Sequence, residues 1–219
     1  MKKETPILYS TPMVKSIVKN TKTKTRRTRG LDKINLNPDD WIFNEIDPAG
    51  SFVFEHKNFD ETFWVNSPYG NVGDLLWVRE TFVDISSYKK APLFSDLEGN
   101  FLYKADDEFI GCHKWKPSIH MPKVAARIWL EITHIKIERL QSITHEDAIA
   151  EGIEDRWDCA EREFRDYMSK NQESNDWGDT YFNQANLSFI SLWESINGLG
   201  SSELNPWVWV IEFEKVEKP

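Results

Sequence analysis

The stretch A-A-R-I-W-L-E-I-T-H-I-K-I-E-R-L, Ala125 to Leu140, is the longest alternating run in the chain. Ile128, Leu130 and Ile132 alternate with Arg127, Trp129 and Glu131, the period of a half-buried strand. The parity then shifts to Ile135 and Ile137, which predicts a bulge or bend near His134. A long, bent strand is what a small closed or half-closed barrel needs.

The elements on either side fit that frame. Ile7-Leu8-Tyr9 reads as a short strand. Thr11 is a good N-cap and Pro12 suits the first helical position, so a helix should run from Pro12 to about Lys19. Met13, Val14, Ile17 and Val18 form its apolar stripe, and Asn20 suits a left-handed C-cap. Thr21 to Arg27 is threonine-rich and alternating, so part of it should be strand. Gly30 to about Asp60 is polar and reads as loop, with N-P-D-D and D-P-A-G as turns. Phe52-Val53-Phe54, Thr62 to Val65 and Phe101 to Lys104 are short strand candidates. Gly73-Asp74 turns into a strand carrying Trp77 and ending at Arg79-Glu80. That end is either a surface ion pair or a pocket rim in which Arg79 holds an anion. Trp115 to Lys123, with two prolines, is a loop that either walls a pocket or covers a core edge.

Thr144 N-caps a short helix with Glu151 in its last turn and Gly152 as its stop. A carboxylate there opposes the macrodipole, so Glu151 needs a reason to be there, or it is simply solvent-exposed at small cost. Asp158 to about Lys170 reads as a polar helix. Phe182 to Ile196 reads as an amphipathic helix ended by Asn197-Gly198. Trp207 to Val216 closes the chain as a strand, with Trp209, Ile211 and Phe213 on one face and Val208, Val210 and Glu212 on the other. The order is α+β with a largely antiparallel sheet, curled into a small barrel.

Against this scaffold the segment T-K-T-K-T-R-R-T-R, Thr21 to Arg29, stands out. It carries five cations in a 219-residue chain of net charge -9. It reads as a solvated arm, an anion or nucleic-acid contact, or a catalytic segment. The amphipathic helix before it must dock, which disfavours the arm. The acidic balance disfavours a large nucleic-acid footprint and favours a mononucleoside or a few nucleotides. With 40% hydrophobic residues, one domain with a real core is expected. Cys112 and Cys159 form neither a disulfide framework nor a zinc spacing, and no metal or other cofactor is expected. No apolar run approaches the roughly 20 residues of a membrane span, and the N-terminus lacks a signal-peptide core, so a cytoplasmic protein with reduced thiols is expected.

Four segments resemble ASCH domains of the PUA-like superfamily. Asn20-Thr21-Lys22-Thr23-Lys24-Thr25-Arg26-Arg27 resembles the G-x-K-T-x-T-x-R signature, with Asn20 in the glycine position. Gly73-Asp74-x-Leu76, Leu140 to Ala148 with Glu151, and Trp207 to Phe213 resemble the family's turn, helix and closing strand. W-K-P-S-I-H-M-P and N-P-W-V-W-V-I-E-F are similar to segments of phage-encoded ASCH-like proteins. The resemblance implies a single domain over residues 1–219: a small, mostly antiparallel β-barrel flanked by helices, with insertions at 31–66, 83–114 and 156–179. It implies a cleft for RNA or a modified nucleotide. Matched to the N4-acetylcytidine amidohydrolase branch, the catalytic residues fall on Lys22, Thr25 and Glu151. Lys24, Arg26, Arg27 and Arg79 would serve as phosphate contacts, with Trp77 and His120 for base stacking. A non-catalytic RNA- or nucleotide-binding module and an ASCH-type ribonuclease are the alternatives. The mechanism makes one geometric demand. Residues three apart on a regular strand face opposite sides, so Lys22 and Thr25 converge only if the chain turns between them.

Overall fold

In the computed structural model of the protein, the described residues are 2–86, 100–106, 114–158, 161–169 and 180–219. Strands β1 (Glu4–Leu8), β2 (Lys24–Arg27), β6 (Leu75–Arg79), β9 (Trp129–Arg139) and β13 (Trp207–Val216) build the central sheet in the order β1-β6-β9-β13-β2. β1 and β6 are parallel and every other neighbouring pair is antiparallel. The fold is therefore α+β with mostly antiparallel strands. The expected barrel does not close, because β1 and β2 remain edges of the sheet.

β9 and β13 form the spine. Their register shifts where Glu212 pairs with His134 and Phe213 with Ile132, leaving Thr133 as the extra residue. This is the bulge that the parity change predicts. It keeps Ile132 and Ile137 in one core although they lie an odd number of residues apart.

The chain between β2 and β6 carries the strands expected at Phe52 to Phe54 and Thr62 to Val65, but departs from the expected loop over 32–46. It forms α2 (Asp32–Asn35), a 3-10 turn at Pro38–Asp40, and a three-stranded sheet of β3 (Trp41–Ile46), β4 (Phe52–His56) and β5 (Thr62–Val65). β3 carries its inward pair, Trp41 and Phe43, between outward Ile42 and Asn44, and the polar flanks mask that alternation. Phe52 meets Trp209 edge-on at 4.8 Å and Phe54 meets Trp207 at 5.2 Å. Such edge-to-face contacts add to the burial of the rings and lock the small sheet over the large one. Helix α1 (Thr11–Val18) covers the rest of this core through Met13, Val14 and Ile17.

A second core lies on the outer face of β13. Val208 and Val210 pack there with α3 (His145–Ala150) and α4 (Ala185–Asn197). The polar helix expected from Asp158 is instead a hairpin of β10 (Asp155–Asp158) and β11 (Glu161–Arg165), to which β12 (Tyr181–Phe182) adds. Arg156 lies directly opposite Glu163 and bonds it at 3.0 Å, and Arg162 reaches Asp155 at 2.6 Å. Opposite charges across a ladder favour a hairpin over a helix with a thin apolar face. β7 (Phe82–Asp84) and β8 (Phe101–Tyr103) form a small separate ladder. Cys112, His113 and Cys159 lie outside the described residues. Among the described residues no helix is long and apolar enough to cross a membrane, and no His, Cys, Asp and Glu cluster suits a metal ion.

Candidate functional site

The site lies at the open edge of the sheet, where α1 delivers the chain into β2. Asn20 adopts φ +58, the left-handed turn expected of it. Thr21 N and Lys22 N then both donate to Ser16 O, Thr23 N donates to Ala150 O, and Phe213 N donates to Thr23 O. Three elements thus hold residues 20–23 in a bend, and regular strand begins only at Lys24. The turn that Lys22 and Thr25 require is present.

Lys22, Thr25, Arg26 and Glu151 are all buried, at 4%, 0%, 2% and 4% exposure. Lys22 Nζ donates to Glu151 Oε2 at 2.8 Å and to the Glu151 carbonyl at 2.6 Å. One ammonium therefore answers both the carboxylate and the orphan carbonyl at the C-terminal end of α3, and Glu151 is buried rather than solvent-exposed. Arg26 donates to the other carboxylate oxygen of Glu151 at 3.2 Å, to Glu138 at 2.5 Å and to Asp147 at 2.9 Å. Lys24 pairs with Asp147 and Glu212, and Lys136 with Glu138. Four cations thus face four carboxylates, and the positive charge of Lys22, Lys24 and Arg26 is neutralised inside the fold.

Burial pushes the Lys22 ammonium below the usual lysine range, against the opposing pull of Glu151. For Asp147, burial is outweighed by the bonds from Lys24 and Arg26, which hold its carboxyl below the usual range. For Lys24, burial is likewise outweighed by Asp147 and Glu212, and its ammonium is raised.

Tyr9 completes the group. Its ring centroid lies 5.5 Å from Lys22 Nζ and 5.2 Å from the Arg27 guanidinium carbon. The Thr25 hydroxyl is the polar side-chain neighbour of the Tyr9 phenol. Neither buried hydroxyl has a hydrogen-bond partner among the described residues. Lys22 and Thr25 therefore both neighbour Tyr9. Lys22 also lines a cleft of about 350 Å³, with Ile17, Asn20, Thr23, Phe213 and Lys215 among its walls.

Arg27 has a distinct position. It donates to Arg26 O at 3.2 Å and to Leu8 O at 3.0 Å, so its guanidinium spans the two sheet edges. Neither it nor exposed Arg29 pairs with a carboxylate among the described residues. Both lie close enough to bear on the buried phenol of Tyr69.

Arg79, Trp77 and His120 are not brought into this group. Trp77 belongs to the cluster on the opposite face of β6 from Val78 and Tyr9. Arg79 lies over Trp77 at 5.6 Å and donates to the Ile119 carbonyl, and His120 is exposed on that loop. Glu80 pairs neither with Arg79 nor with solvent. It is buried and held in a two-point bond by Arg127 at 2.8 and 3.0 Å.

Sequence reasoning missed Tyr9 as part of the site, because it reads only as the end of an apolar strand. It also missed Glu138, whose signal was its shared parity with Lys136 on the outer face of β9. No protein-family model, curated protein or solved structure matches the chain.

Proposed function

We propose that this is an ASCH-like domain that hydrolyses the exocyclic amide of an N4-acylcytidine-type base, carried on a nucleoside or a nucleotide. The observation that carries the reading is the buried Lys22–Glu151 pair at 2.8 Å, with the Thr25 hydroxyl beside the same tyrosine. A threonine hydroxyl is a weak nucleophile until a base takes its proton, and a desolvated lysine is such a base. Arg26 assists. By sharing the charge of Glu151 it weakens the hold of that carboxylate on the Lys22 proton, and it keeps the carboxylate paired when Lys22 is neutral.

The steps follow from these roles. Thr25 Oγ attacks the acyl carbon as its proton passes to Lys22. The C–N bond breaks, and the amine leaves with a proton supplied by Lys22, with Glu151 steadying the ammonium. Water then releases the acid from acyl-Thr25, with Lys22 again as base. Arg27 and Arg29, the cations of the segment without carboxylate partners, receive the phosphate of a nucleotide substrate. The internal neutralisation of Lys22, Lys24 and Arg26 favours one nucleotide over a long nucleic acid, since few cations remain to contact phosphates.

Incubation with N4-acetylcytidine, followed by chromatography of the bases, tests the proposal. Cytidine and acetate in equal amounts, lost on Thr25→Val, support it. No cytidine above a buffer blank, with the nucleoside and with its 5′-monophosphate, overturns it.

A further inference from the structure

We propose that Tyr9 is a further catalytic residue, its phenol donating a hydrogen bond to the oxyanion that forms when Thr25 attacks the substrate amide. This rests on the hydrolase reading above and assigns a role that the Lys22, Thr25 and Glu151 set leaves unfilled.

Among the described residues, seven buried side-chain polar atoms lack a protein partner, and three belong to this site: Tyr9 Oη, Thr25 Oγ1 and Arg26 Nε. Buried polar groups are normally satisfied, so an orphan of this kind calls for an explanation. A purely structural ring at this position has no need of a hydroxyl. Its packing on Phe213 at 6.4 Å, and its contacts with Lys22 and Arg27, are made by the aromatic ring, and a phenylalanine would keep them. The polar side-chain neighbour of that hydroxyl is Thr25, and Thr25 sits on an edge strand that pairs it with Ile211.

The chemistry gives the phenol a function. As the bond from Thr25 Oγ to the acyl carbon forms, the Thr25 proton passes to Lys22 Nζ, and the carbonyl π pair moves onto the carbonyl oxygen. That oxygen and Thr25 Oγ share one carbon, so a donor beside Thr25 is beside the new oxyanion. When the C–N bond breaks, its electron pair goes to the amine nitrogen, which takes the proton back from Lys22, and the carbonyl re-forms. Tyr9 keeps its own proton throughout. Burial raises its phenol above the usual range, which favours the neutral, donating form.

The test compares full-length wild type, Tyr9→Phe and Thr25→Val for turnover of N4-acetylcytidine and for thermal unfolding. Loss of one oxyanion donor lowers kcat by about 10²–10³-fold. Tyr9→Phe should show that fall with KM changed less than threefold and a Tm equal to or above wild type. Wild-type kcat in Tyr9→Phe overturns the role of Tyr9 and leaves the hydrolase reading standing. A loss of activity matched by a loss of folded protein assigns Tyr9 to packing and likewise overturns it. A wild type inactive on this substrate removes the hydrolase reading and the role of Tyr9 with it.

Discussion

Lys22 and Glu151, 129 residues apart in the chain, meet at 2.8 Å with both side chains almost wholly shielded from water. A buried pair is weak evidence of net stabilisation, because desolvation offsets much of its attraction. Its main consequence is positional. It joins the bend after α1 to the end of α3 and holds a lysine of lowered proton affinity against the Tyr9 ring.

The energetics of that pair are asymmetric. Lys22→Met leaves the Glu151 carboxylate buried with Arg26 alone and should cost about 3–5 kcal/mol in urea unfolding. Lys22→Met combined with Glu151→Leu should recover most of that loss, since neither charge is then stranded. A single-variant cost below about 1 kcal/mol, typical of an exposed pair, would show that the two are not buried together.

The pH dependence has a defined sign. Burial disfavours the Lys22 ammonium, so the neutral amine is reached at a lower pH than for an ordinary lysine at 10.5. The base form is the active one, so kcat/KM should rise with pH and level off below 10.5. Stability moves the same way for this group. The folded state binds the proton less tightly than the unfolded chain, so the cost of charged Lys22 fades as pH rises from its folded pKa toward 10.5. A kcat/KM that rises nowhere below pH 10.5 would exclude Lys22 as the base.

Gly152 tests the close approach of the two segments. It has φ +77, and an added Cβ would lie 2.7 Å from Lys22 Cβ and 2.8 Å from Ser16 Cβ. Gly152→Ala should therefore lose more stability than Gly50→Ala, where φ is +86 but the space is open. The control carries only the backbone penalty, of order 1 kcal/mol. Activity should fall in Gly152→Ala and hold in Gly50→Ala. Equal effects on stability would mean that Lys22 is not pressed against Gly152.

Arg27 joins two roles, since its guanidinium spans Arg26 O and Leu8 O at the mouth of the open edge. Arg27→Lys replaces a planar fork with a point charge and should not hold both carbonyls. Amide exchange should quicken along β1 and β2. A higher kcat/KM for the 5′-monophosphate than for the nucleoside should shrink toward parity. An unchanged preference would remove Arg27 from phosphate recognition.

The elements most legible in the sequence were those whose signals are local. Thr144 accepts from Asp147 N as its N-cap position foretells, Asn20 takes the left-handed turn, and the parity shift after Ile132 marks the bulge. β3 and β11 were missed because neighbours across a ladder hold them. Phe43 depends on Phe52 and Phe54, and Arg156 on Glu163. The site divided in the same way. Lys22, Thr25 and Glu151 came from a resemblance of spacing; the fold pairs Lys22 with Glu151 and sets Thr25 next to Tyr9. That Lys24 and Arg26 turn inward to carboxylates was not legible, because Glu138, Asp147 and Glu212 come from three distant segments. Tyr9 carried no signal beyond its place at the end of an apolar strand.

The most direct measurement is intact-mass analysis of the protein quenched during turnover of N4-acetylcytidine, with the modified peptide located by fragmentation. The expected result is a transient addition of one acetyl group on Thr25, absent from Thr25→Val and slowed in Lys22→Met. Acetate release with the label on another residue, or with Thr25→Val fully active, would contradict Thr25 as the nucleophile and Lys22 as its base.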